Sequence, residues 1–146
     1  MGISSGVISL FTQLKAEGFF DGIGSVIEFG AQTIRCRYHA PVMKKCLEKF
    51  GVSEGLTDRE LGRICKGASR DFYEAIGMEY ASLDTSSAFG AFVFDLNFDV
   101  VPEELCGKFD LLTNFGTSEH VFNQYNNFKT AHDFVRKGGA FMHFMP

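Results

Sequence analysis

Apolar residues recur at two distinct spacings along the chain. Val7, Leu10, Phe11 and Leu14 share one helical face, with Ser4 or Ser5 placed to cap the helix and Gly18 near its end. Ser25-Val26-Ile27-Glu28-Phe29-Gly30 is a short apolar run closed by glycine and predicts a buried strand. Residues 35–50 read as helix, with Pro41 near its start or at a break. Thr57-Asp58-Arg59-Glu60 has the spacing of a capping box, so another helix starts there. Ala68 to Ile76 reads as a further helix stopped by Gly77.

The second half alternates more cleanly. Strands are expected at Met78 to Asp84, Ala91 to Asp95, Phe109 to Asn114 and Ala140 to Phe144. One helical turn is expected at Pro102-Glu103-Glu104-Leu105, with Pro at N1. Val121, Tyr125, Phe128, His132 and Val135 recur at helical spacing, which predicts a helix with that apolar face and makes His132 a core histidine. Arg136-Lys137-Gly138-Gly139 reads as its end. Strands separated by helices imply a parallel sheet in an α/β fold.

Composition narrows the class. At 146 residues, 45% hydrophobic and 22% charged, the chain fits one globular domain. Its 17 Phe can fill a sizeable core. No apolar run approaches the ~18 residues of a membrane span. The net charge is −4 and the longest basic cluster is Lys44-Lys45, so no nucleic-acid partner is expected. Cys36, Cys46, Cys65 and Cys106 form no C-x-x-C pair and read as small buried apolar residues. The first residues have no basic stretch before an apolar one, and the cytoplasm is the expected compartment.

The chemistry sits at the strand ends. The first strand runs into Glu28-Phe29-Gly30-Ala31-Gln32. The second ends at Asp84, the third at Asp95-Leu96-Asn97 and the fourth at Asn114. In an open parallel sheet the ligand crevice lies outside the carboxyl ends of the strands. A glycine there lets a ligand approach the backbone, an acid on the second strand can accept two ribose hydroxyls, and an acid or amide after the third can reach an adenine edge. The series suits a nucleoside-like ligand. An NAD-binding motif is not supplied by Gly30-Ala31-Gln32-Thr33-Ile34-Arg35.

In this order, Val26 to Gly30, Tyr80 to Asp84, Phe94 to Asn97, Phe109 to Asn114, Ser118-Glu119-His120-Val121 and Lys137-Gly138-Gly139 resemble class I S-adenosylmethionine-dependent methyltransferases over roughly residues 20–146. The resemblance implies a Rossmann-like three-layer sandwich with a mostly parallel sheet, here with five of the usual seven strands in the order 3-2-1-4-5. It implies S-adenosyl-L-methionine as cofactor. Glu28, Gly30, Ala31 and Gln32 would lie along its methionine part. Asp84 would hold the ribose, Asp95 and Leu96 would flank the adenine, and Asn114 and Phe115 would lie near the transferred methyl. Asn114 to Thr117 would form a loop over that centre, and His120 would begin the next helix, either as a base for the acceptor or, with Glu119, pinning the loop after the fourth strand. Phe115 and Phe122 are candidates to line an acceptor pocket.

The chain departs from the family in two places. Gly30 stands alone where two or three glycines are usual. Asp84 follows Gly30 by 54 residues, where about 20 is usual for a nucleotide-binding unit, so the helices near 50–77 read as an insertion. Gly116 stands where metal-binding relatives carry a further Glu, so no metal is expected. The expectation is a single, incomplete methyltransferase domain over 1–146, acting on a small-molecule or glycan-type acceptor. The alternative is a degenerate domain of that fold acting in binding or assembly. An uncharged last strand left as an open edge would favour self-association.

Overall fold

The computed structural model describes residues 2–52 and 56–144. In chain order the elements are β1 (Ile3–Ser4), α1 (Ser5–Ala16), β2 (Ser25–Phe29), β3 (Ile34–Arg35), α2 (Ala40–Lys49), α3 (Asp58–Ile64), α4 (Ser69–Ala75), β4 (Glu79–Asp84), β5 (Phe92–Val93), β6 (Phe109–Phe115), α5 (Gln124–Phe134) and β7 (Val135–Phe144). Single 3₁₀ turns occur at Ala88–Gly90, Glu103–Leu105 and Ser118–His120. The chain divides into two compact units. One comprises residues 24–31 and 79 onward, the other residues 2–23 and 32–78.

The first unit is built on a five-stranded sheet in the order β5-β4-β2-β6-β7, with every neighbouring pair parallel. This is an α/β fold with a Rossmann-like sheet. From β2 the chain steps outward to β4 and β5, then returns to β6 on the other side of β2. The order therefore reverses beside β2, at the position where α/β sheets open a crevice. Ile27 and Phe29 of β2, Ala81 and Leu83 of β4 and Leu112 of β6 share a buried cluster with Ala131 and Phe134 of α5. The Phe134 ring packs edge-on against Phe94 and Phe109, with centroids 5.9 and 6.1 Å away. Burying each such ring contributes about 1.5–3 kcal/mol.

The second unit is mainly helical. Ser4 caps α1 by accepting from Val7 N, and Thr57 with Glu60 makes the complete capping box of α3. Phe11 meets Phe20, Phe72 and Tyr73 at 5.0, 5.6 and 6.0 Å. Residues 32–36 run beside 65–69 through Ser69 N to Gln32 O, Ile34 N to Gly67 O and Cys36 N to Cys65 O. The helices α3 and α4, expected as an insertion, fold in this unit together with α1 and α2. Cys36, Cys46 and Cys65 are buried, and burial pushes the Cys36 and Cys46 thiols up to about 11. Cys106 is exposed, against the expectation for all four.

Several local expectations are corrected. On α1 the buried face uses Ile8, while Leu10 is exposed. Residues 34–35 are strand, and the helix expected from 35 begins at Ala40 with Pro41 in its first turn. β5 is only two residues long, because Asp95 N turns to Asp99 Oδ2 and leads the chain off the sheet edge. Pro102 is the N-cap of its 3₁₀ turn and not its first residue. On α5 the buried residues are Asn127, Thr130, Ala131 and Phe134. Tyr125 and Phe128 are exposed, and His132 is a surface histidine with its side chain 84% exposed. Arg136 to Gly139 are not a helix end but an irregular entry into β7. The register runs Phe109↔Val135 and then jumps to Leu111↔Ala140.

A candidate binding site at the carboxyl ends of the strands

Gly30 follows β2 with φ of 78°, a left-handed conformation that suits glycine. Its N–H donates to Leu83 O at 2.8 Å. The next amide, Ala31 N, donates to Asp84 Oδ2 at 3.0 Å. Asp84 is the last residue of β4, which pairs directly with β2, so the acid stands beside the glycine turn. Asp84 Oδ1 accepts from Ser86 N at 3.0 Å and Ser86 Oγ at 3.1 Å. Desolvation acts to raise the Asp84 pKa. Hydrogen bonds from Ala31 N, from Ser86 and from Thr85 N outweigh it and hold the carboxyl below its usual range.

From the other side Thr117 Oγ1 donates to Phe29 O at 2.7 Å. The end of β2 is thus clasped by β4 through Asp84 and by the turn after β6 through Thr117. Asn114 and Phe115 close β6 as buried residues. The Asn114 amide accepts from Thr117 N and Ser118 N and donates to Ser118 Oγ and His143 Nδ1. With all four positions used, Asn114 shapes the turn after β6. That turn is Gly116-Thr117 followed by the 3₁₀ turn Ser118–His120, and α5 begins only at Gln124. His120 therefore does not open the helix. Its side chain is 75% exposed, and Nε2 lies 4.0 Å from Glu119 Oε1. Phe122 is 98% exposed.

Beyond β5, Asp95 Oδ1 accepts from Asn97 N and Asn97 Nδ2, which folds Asp95, Leu96 and Asn97 into a tight turn. Asn97 Oδ1 takes the N–H groups of Phe122 and Asn123, and Asn126 Nδ2 reaches Leu96 O and Asp99 O. The loops after β5 and β6 are tied into one rim. Sequence reading named Asp95, Leu96 and Asn97 at the end of the third strand but not Asn123 and Asn126, which tie that turn to the start of α5. An asparagine two residues after an acid is the signal that marks such a turn.

Glu28 is the exception within the first motif. It lies inside β2, opposite Ser82 and Thr113, and is fully buried. Tyr80 OH donates to Glu28 Oε2 at 2.8 Å. Gln32 belongs to the second unit, where it is buried and its carbonyl accepts from Ser69 N. Seven of the nine expected cofactor residues, Gly30, Ala31, Asp84, Asp95, Leu96, Asn114 and Phe115, thus stand at or beyond the carboxyl ends of the strands in the first unit. Among the described residues no cluster of three or more His, Cys, Asp or Glu side chains is arranged to hold a metal ion. None of the helices described is long and apolar enough to cross a membrane. No family model and no curated protein matches the sequence.

Proposed function

We propose that this chain binds S-adenosyl-L-methionine at the carboxyl ends of β2, β4, β5 and β6 and transfers its methyl group to a small-molecule or glycan-type acceptor. The observation that carries the reading is the Asp84–Ala31 pair at the point where the strand order reverses. An acid on the strand next to the glycine turn is what two ribose hydroxyls require. The Ser86 hydroxyl, on an exposed residue, is the donor they would replace on Asp84. Asp95 and Leu96 sit in a rim stiff enough to flank an adenine.

Methyl transfer from a sulfonium is an in-line displacement. The protein aligns the acceptor with the methyl and excludes water. His120 is the residue we assign as base, since it is exposed on the turn after β6 and an imidazole can take a proton from an acceptor hydroxyl. The free thiols Cys36, Cys46 and Cys65 suit a reducing compartment, and we assign the protein to the cytoplasm.

A second reading is a degenerate domain of this fold that binds without catalysis. It is favoured by Gly30 standing alone and by Asn114 having every hydrogen-bonding position filled. Incubating the protein with methyl-labelled cofactor and a range of hydroxyl, amine and thiol acceptors separates the two. Labelled product that falls in His120→Ala with unchanged cofactor affinity supports the enzyme. Cofactor binding with no transfer to any acceptor supports the binding domain.

A further inference from the structure

The orientation of the Asn114 amide is fixed by groups that cannot reverse. Thr117 N and Ser118 N both point at it, at 3.1 and 3.2 Å. A backbone N–H only donates, so the amide oxygen faces them and the NH₂ faces the opposite way. That NH₂ lies 2.7 Å from Ser118 Oγ and 3.1 Å from His143 Nδ1. It too only donates. His143 Nδ1 is therefore the acceptor, which makes the imidazole neutral with its proton on Nε2.

The same logic runs onward. Ser118 Oγ accepts from Asn114 and passes its own hydrogen to Asn127 Oδ1 at 2.9 Å. Asn127 Nδ2 donates to Gln124 Oε1 at 3.3 Å, and Gln124 Nε2 donates to Ser118 O at 2.8 Å and to Val121 O. Asn114, Ser118 and Asn127 are fully buried. A directional network of this kind has no spare acceptor for a second imidazole proton.

We propose that His143 is a positioning residue: neutral, it holds the Asn114 amide and through it the turn 116–120 after β6, and its protonation releases that turn. A solvent proton added to Nδ1 would set N–H against NH₂. The imidazole must then leave, or the amide must rotate and give up Thr117 N and Ser118 N. Among the described residues no charged side chain faces the ring to stabilise the cation. From β6 the group facing the ring is Asn114, from α5 it is the Phe128 ring at 5.7 Å and from β7 it is Phe141 at 6.1 Å. On α5 the neighbouring Lys129 and His132 both pair with Asp133, and on β6 Asp110 pairs with Arg136. Burial without a compensating charge pushes His143 below the ordinary histidine value.

The inference deepens the cofactor reading, because this turn borders the crevice, but its test needs no cofactor. The whole chain is titrated from pH 8 to pH 4.5 by nitrogen-15 NMR. The expected result is an Nε2–H imidazole at pH 8 and a His143 midpoint below 6.5. The Thr117 and Ser118 amides should shift with that same midpoint, and their exchange protection should fall about tenfold, the worth of one hydrogen bond. In His143→Gln, which keeps an acceptor that does not titrate, both amides should stay protected with no inflection. A proton on Nδ1 at pH 8 would overturn the proposal, as would amides that do not respond while His143 titrates. Should the variant not fold, the wild-type titration alone decides. S-adenosylhomocysteine added at pH 8 keeps the two readings apart: coupled amides without binding leave this inference standing and remove the cofactor one.

Discussion

Asp110 gathers four donors at the amino ends of β2 and β6. Its Oδ2 accepts from Gly24 N at 2.8 Å and from Ser25 N and Ser25 Oγ at 2.9 Å, while Oδ1 pairs with Arg136 Nε. Desolvation acts to raise its pKa, but the bonds from Arg136, Gly24 and Ser25 outweigh it and bring the carboxyl down to about 2. The folded value lies below the unfolded one near 3.9. Its contribution is therefore complete above about pH 4 and is lost as pH falls toward 2. We expect Asp110→Ala to cost about 1–2 kcal/mol at pH 7, discounted for partial exposure, with the difference from wild type shrinking by pH 2.5. Urea unfolding at both pH values checks this, and an equal difference at both would contradict it. The sequence marked Asp84, Asp95 and Asn114 because each follows an apolar run. It was silent on Asp110, which lies inside such a run, and on the saturation of Asn114, whose partner His143 comes 29 residues later.

At the scale of elements, β6 and β7 are joined through a four-residue irregularity that depends on glycine. A Cβ on Gly139 would meet the Val135 side chain and would lie 2.7 Å from Asp110 O. Asp110 is itself held by its side chain, so the carbonyl has little room to yield. Gly139→Ala should cost about 1–3 kcal/mol, the usual range for overpacking, which thermal or urea unfolding would register. A variant as stable as wild type would show that the strand entry can shift. The sequence pattern gave basic residues and two glycines, which equally describe a helix end. Pairing of Val135 with Phe109 and of Arg136 with Asp110 decides for strand. α5 was legible as a helix but not in its orientation. Its buried face carries Asn127, which binds Ser118, and the small Thr130 and Ala131. The large rings of Tyr125 and Phe128 stay exposed.

For the molecule as a whole, the strand order β5-β4-β2-β6-β7 is the one the family resemblance implied, whereas the apolar pattern by itself gave the strands and not their order. The grouping of α3 and α4 with α1 and α2 could not, since helical spacing says nothing about which helix packs on which. β7 lies at the edge of the sheet with Phe141 and Phe144 exposed, and no described strand pairs with its outer side. Such an edge recruits other chains. We expect sedimentation to show self-association that increases with concentration and weakens in Met142→Lys. A monomer at all concentrations would contradict this. The most direct test of the central claim is calorimetric titration with S-adenosylhomocysteine. The account predicts one site per chain and, in Asp84→Ala, a loss of about 2–4 kcal/mol, roughly 30- to 1,000-fold in affinity. Wild-type protein that does not bind, or Asp84→Ala that binds equally well, would contradict it.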